Sequence, residues 1–162
     1  AGNILPFGSN TTYNLGSTTQ WFNTFYGVST KAQYADLAER YAADREYPVG
    51  TVVMIGGTAE ITAVTEDSSS DVLGVISTNA AYLMNSAAGT DLTHPAVAMA
   101  GRVPVRVVGS VNRGDRLVSA GNGCARSATA DEITPWNVVG RTLESKTSME
   151  EALVLAVVRV NI

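Results

Sequence analysis

The chain has 162 residues, 45% of them apolar and only 16% charged, with a formal net charge of −4. That length holds one ordinary domain with a sizeable core, or a domain plus a short appendage. The acidic balance, with nine Arg and two Lys scattered along the chain and no basic block, argues against nucleic acid or an anionic membrane surface as the main partner, since both reward clustered cations.

Residues 1–30 are polar and rich in Thr, Ser, Asn and Gly. The first of them lack the basic start and apolar run of a signal peptide, and no segment of the chain approaches the ~20 apolar residues of a membrane-spanning helix. Isolated apolar anchors punctuate the segment: Ile4, Leu5, Phe7, Tyr13 and Leu15, then the group Trp21, Phe22, Phe25 and Tyr26. No helical period fits them, and short extended pieces joined by turns fit better. Burying those four aromatics is worth about 15–25 kcal/mol of gross hydrophobic free energy as an upper bound. Thirty residues of this composition cannot form the core that buries them. The covering surface must come from the rest of the chain or from identical segments of neighbouring chains.

Residues 31–46, KAQYADLAERYAADRE, are made of good helix formers. Tyr34, Leu37, Ala38 and Tyr41 fall at i, i+3, i+4 and i+7, which predicts at least a short helix. An extended reading also exists, because Ala35, Leu37 and Tyr41 share one face of a strand.

From Pro48 onward the pattern is β. Strands are predicted within 49–55, 60–66, 71–78, 96–109, 115–120, 136–144 and 151–162, each rich in Val or Ile and most bounded by turn residues. Many short strands with frequent turns point to a compact barrel or sandwich. The segment 60–66 alternates and reads as half exposed, whereas the nearly continuous apolar run LVLAVVRV, 153–160, reads as central. Gly50 and Gly114 each open a β-branched run and read as tight corners. Pro104, between Arg102 and Arg106, reads as part of an edge strand or a bulge. Residues 79–95 read as a long loop, with Tyr82, Leu83 and Met84 expected to be pinned to something.

Reactive groups do not converge in this pattern. Cys124, the single cysteine, forms no intrachain disulfide and reads as a small buried or half-buried apolar residue. His94 is the only histidine and has no second His or Cys nearby to make a zinc site. A triad with Asp91 or Asp71 finds no nucleophile-elbow pattern. The acidic run 66–71 lacks the spacing of a calcium loop and reads as a solvated turn. Gly121-Asn122-Gly123 reads as a hairpin turn rather than a phosphate loop. Arg113-Gly114-Asp115 spells an integrin-type tripeptide but lies in a structural corner. No cofactor or metal is expected.

The stretch Asn3-Ile4-Leu5-Pro6, Tyr13-Asn14-Leu15-Gly16-Ser17, Trp21-Phe22 and Phe25-Tyr26 resembles a short unit of bacteriophage tail fibres. The remainder of the chain resembles the carboxy-terminal region of the same fibres. Ala35-Asp36-Leu37-Ala38-Glu39-Arg40-Tyr41 leads to Tyr47-Pro48-Val49-Gly50-Thr51-Val52-Val53. Gly74-Val75-Ile76-Ser77-Thr78-Asn79, Gly101-Arg102-Val103-Pro104-Val105 and Gly114-Asp115 continue it.

The resemblance covers nearly the whole chain. It implies a mainly β protein with an intertwined trimeric amino-terminal arm (1–30), a connecting segment (31–47) and a β-rich tip domain (48–162). It implies a homotrimer on the virion, at the distal end of the tail fibre, made in the host cytoplasm. Leu15, Trp21, Phe22, Phe25, Tyr26, Leu37 and Tyr41 would lie in the trimer interface. Its partners would be a host surface glycan or protein receptor and the remaining tail fibre or baseplate proteins. Because binding residues concentrate on loops carried by a rigid scaffold, receptor contact is expected on the 79–95 loop, with Tyr82, Leu83, Met84, Asp91 and His94, and on exposed turns such as 65–71. Alternatively, Tyr82, Leu83 and Met84 seal a seam between chains.

A more distant similarity links the domain to intramolecular-chaperone autoproteolytic domains of phage neck appendages. No catalytic residue of that group matches a position here, so the chain is expected not to be an enzyme, with self-cleavage as the alternative. The strand pattern reaching Ile162 leads us to expect a natural carboxy terminus.

Overall fold

Runs of Val and Ile with a period of two form sheets when each strand has one face to bury. The computed structural model describes residues 7–8, 13–24, 26 and 31–159. It divides into two units, residues 1–31 and 32–162. In the second unit ten strands succeed one another: β1 (Asp36–Arg40), β2 (Val52–Ile55), β3 (Ile61–Ala63), β4 (Val72–Ile76), β5 (Tyr82–Met84), β6 (Ala96–Val107), β7 (Arg116–Gly121), β8 (Cys124–Ser127), β9 (Val138–Thr142) and β10 (Ala152–Arg159). No helix occurs among the described residues.

Five of these strands close into a barrel. β10 pairs with β9, β9 with β7, β7 with β8, and β8 with β6, while β6 returns to β10 over eight registered positions, from Ala100↔Arg159 to Val107↔Ala152. All these pairings are antiparallel except β6–β8. The amino-terminal part of β6 carries a second set of partners, β4 on one edge and β1 on the other; β2 and β3 come after β4, and β5 after β1. A closed ring leaves no free edge, so the barrel strands cannot recruit a wrong partner.

Two buried clusters result from this arrangement. The larger joins Val103, Val105, Leu117, Val139, Val154 and Val158 from the ring to the valines of β2 and β4. The smaller centres on Tyr47, Val53, Ile61, Ile76 and Val97. The segment 60–66 is half exposed as expected: Ile61, Ala63 and Val64 are buried, while Glu60, Thr65 and Glu66 are exposed. β10 is central in its pairing, but its faces alternate: Val154, Ala156 and Val158 point inward, and Leu153 and Val157 are exposed.

The expected helix over 31–46 is replaced by strand β1. Its burial alternates, with Asp36 and Ala38 buried and Leu37 exposed between them. The chain here is flanked on both sides, antiparallel by β6 and parallel by β5, so ladder hydrogen bonding overrides helix propensity. The 79–95 segment correspondingly contains a strand, β5, which is pinned to β1 through Leu37↔Tyr82, Ala38↔Leu83 and Glu39↔Met84.

β6 is the most heavily paired strand of the unit, yet around Pro104 it has a strand partner, β10, on one side only, so Pro104 sits at a local edge as expected. On one edge Arg102 N–H donates to Ala35 O (3.2 Å) and Arg106 N–H to Gly50 O (2.9 Å). Pro104 lies between them, facing a gap where no donor is required. Gly50 and Gly114 adopt positive φ, 84° and 91°, as corners that open strands. At Gly101 the requirement is stricter. It has φ 115°, and a Cβ there would meet Ala35 O at 2.2 Å and Asp36 Cα at 2.6 Å. Only glycine lets β1 lie this close to β6.

Candidate functional site

In the amino-terminal unit the Gly-Ser-Thr-Thr stretch forms a closed turn. Ser17 N–H donates to Gln20 O (2.7 Å), and Ser17 Oγ accepts from the Gln20 N–H (3.0 Å). The turn folds the chain back, so that Leu15, Trp21 and Phe22 line one shallow hollow of ≈ 450 Å³. These side chains are all more than half exposed: Leu15 71%, Trp21 76%, Phe22 54% and Tyr26 97%. Phe25 lies outside the described residues.

Leu37 and Tyr41 differ from each other. Leu37 is exposed beside Tyr82, its registered neighbour on β5, which makes an outward-facing apolar pair. Tyr41 is half-buried against the smaller core cluster, and its hydroxyl donates to Glu39 Oε2 (3.0 Å). Burial, reinforced by the Glu39 carboxylate, raises its pKa. Leu83 and Met84 are half-buried.

Asp91 and His94 are drawn together by Arg40. Its guanidinium pairs with Asp91 Oδ1 (2.7 Å) and donates to the His94 carbonyl oxygen (2.6 Å). Asn85 Nδ2 donates to the Arg40 carbonyl oxygen (3.1 Å), tying the start of the same loop to β1. The loop is thus fastened at both ends, while the Asp91 carboxylate stays 79% exposed.

The acidic run 66–71 is held by an arginine. Arg126 of β8 forms a two-pronged pair with Asp67 (both contacts 2.6 Å) and a further contact to Glu132 (2.7 Å). The Arg126 hydrogen bonds hold the Asp67 carboxyl below its ordinary range. Arg126, together with donors from Thr129, pulls Glu132 down to about 2. Among the described residues no group of three or more His, Cys, Asp or Glu could hold a metal ion.

The Arg113-Gly114-Asp115 tripeptide is a closed turn. Asp115 Oδ2 accepts from Asn112 N–H (2.8 Å) and from Ser127 Oγ (2.9 Å), so its carboxylate is turned into its own corner. Gly121-Asn122-Gly123 is a hairpin: Asn122 and Gly123 both have positive φ and Gly121 pairs with Cys124, which produces β8. Cys124 is buried, burial pushes its thiol pKa up, and its Sγ contacts Glu151 Oε2 at 3.4 Å.

Two features escaped the sequence reading. Asp36, buried at the start of β1, accepts from Ser77 Oγ (2.6 Å), an exclusively tertiary contact across 41 positions. The second is a cavity of ≈ 590 Å³ on β7, β9 and β10, lined by four arginines.

No protein-family model and no curated protein matches the chain. Two solved structures share its fold. One is pre-mature bacteriophage phi29 gene product 12, with TM-score 0.58 and 15% identity; the match covers 85% of this chain and 23% of that one. The other is a C-terminal fragment of the same gene product, with TM-score 0.53 and 16% identity, covering 77% of this chain and 99% of the fragment. The chain thus spans about a quarter of the first of these chains and nearly all of the C-terminal fragment.

Proposed function

We propose that this chain forms the distal end of a bacteriophage tail fibre. It is a homotrimer whose β-rich tip contacts the host cell surface, at a glycan or protein receptor, with the remaining tail fibre or baseplate proteins behind it. The observation that carries the reading is the state of the amino-terminal side chains. Leu15, Trp21, Phe22 and Tyr26 are all more than half exposed, on a segment too short and polar to cover them. Identical segments on two further chains would supply the missing surface. The fold shared with a phage gene product and the tail-fibre signatures in the sequence support a structural role on a virion.

Light scattering at micromolar concentration tests the assembly. The expected mass is three times the 17.0 kDa of the chain, and a monomer would end the trimer reading. The adhesive role has its own test, because the purified protein should bind host cells and compete with phage adsorption. Failure of both would leave a trimerisation cap.

A second reading, an assembly domain that cleaves itself, has one observation in its favour, the buried Ser77–Asp36 pair. On the primary reading the chain stays intact during long incubation. A shorter fragment on a denaturing gel, abolished by Ser77→Ala, would favour the second.

A further inference from the structure

Four of the nine arginines, Arg113, Arg116, Arg141 and Arg159, line the ≈ 590 Å³ cavity. Arg116 on β7 lies directly opposite Arg141 on β9, which lies opposite Val157 on β10, so the three form one row across the outer face. Arg159, two positions beyond Val157, returns to the same face. Like charges directly opposite each other in an antiparallel pair are destabilising. Here nothing in the described residues relieves them. Among the described residues none of the four guanidiniums has a carboxylate within 4.0 Å, and the four ion pairs there involve other arginines. The nearest acid in sequence, Asp115, is occupied by Asn112 and Ser127.

An uncompensated cluster of arginines on a chain of net charge −4 is the arrangement expected of an anion site. Guanidinium forks match carboxylate and phosphate oxygens two at a time. The floor between them is apolar, formed by Val138, Val157 and their neighbours, and suits a ligand with an uncharged body as well as a charged group. The volume falls within the ~300–1,000 Å³ of ordinary ligand sites. No aromatic side chain among the described residues lines the cavity, and single-stranded nucleic acid is bound by aromatic stacking platforms.

The geometry points to this cavity as a binding site for an anionic saccharide, a sugar unit bearing a carboxylate or a phosphate. The inference rests on the adhesive reading of the chain and names the chemistry of its receptor. The site lies on the barrel, away from the 79–95 segment singled out from the sequence.

The test is calorimetric titration of the full chain with a hexuronate trisaccharide, a hexose phosphate, inorganic phosphate and a neutral trisaccharide. Millimolar or tighter binding of a charged saccharide, weakened by added salt and absent for the neutral one, is expected. The two charged probes distinguish carboxylate from phosphate recognition. The Arg116→Ala/Arg141→Ala variant should bind at least about tenfold more weakly. It should melt no lower than the parent, because a repulsive pair has been removed.

Absence of binding by both charged saccharides, equal binding of the neutral one, or unchanged affinity in the variant would each overturn the proposal. So would binding of inorganic phosphate as tight as that of the sugars. A variant whose mass in light scattering drops would mark the cavity as a seat for a second copy and also overturn it. Cell adsorption separates the two levels. If the parent and the variant adsorb equally, the cavity proposal fails and the adhesive reading stands. If the parent binds the charged saccharide but no cells, the adhesive reading fails and the cavity stands.

Discussion

Single residues decide how closely this sheet can pack. Gly101 combines φ 115° with backbone atoms of Ala35 and Asp36 where a Cβ would sit. Gly101→Ala should therefore destabilise the protein by about 3 kcal/mol or more, measured by urea unfolding, since neither obstacle is a flexible side-chain end. Arg126 illustrates the electrostatic counterpart. Asp67 and Glu132 both have pKa values lowered by it, Glu132 from an ordinary 4.5 to about 2. A lowered carboxylate contributes stability that is complete above its unfolded value and is lost as pH falls through the folded one. The melting temperature should fall as pH drops from about 4.5 towards 2, and Arg126→Ala should flatten that fall. Both features hide from sequence reading. Nothing local marks Gly101 as the point of closest approach, and Arg126 meets Asp67 from 59 positions away.

At the scale of elements, β1 shows where propensity misleads. Ala, Leu, Glu and Arg predict helix, yet the segment lies between two strands more than forty residues away in sequence. Its register is held partly by the Asp36–Ser77 hydrogen bond (2.6 Å). Ser77→Ala should cost about 1–3 kcal/mol, because a buried carboxyl oxygen loses its donor. Equilibrium unfolding checks the cost, and hydrogen exchange across 36–40 should show β1 loosening. The seven Val- and Ile-rich strands were legible because each carries its own period and its own flanking turns. β5 was not, being three residues among small polar neighbours. β8 was implicit in the Asn122-Gly123 turn, which demands a returning strand. The arginine cavity was illegible because its members come from three strands and a turn that only the pairing of β7, β9 and β10 brings side by side.

For the molecule as a whole, the proposed assembly makes the exposed amino-terminal aromatics a switch between one chain and three. Trp21→Ala with Phe22→Ala should shift the mass in light scattering from trimer towards monomer at micromolar concentration. The barrel has its own core and should melt as before. That barrel also carries a consequence for how the protein is made. β6 meets β10 only after about fifty further residues, and the ring closes through the parallel β6–β8 contact. During synthesis the first nine strands emerge with β6 lacking its longest partner, and closure waits for residue 159. Chains dominated by such distant pairings fold in milliseconds to seconds rather than microseconds. The barrel therefore cannot close until β10 has emerged from the ribosome, and until then the β10 edge of β6 stays open to aggregation.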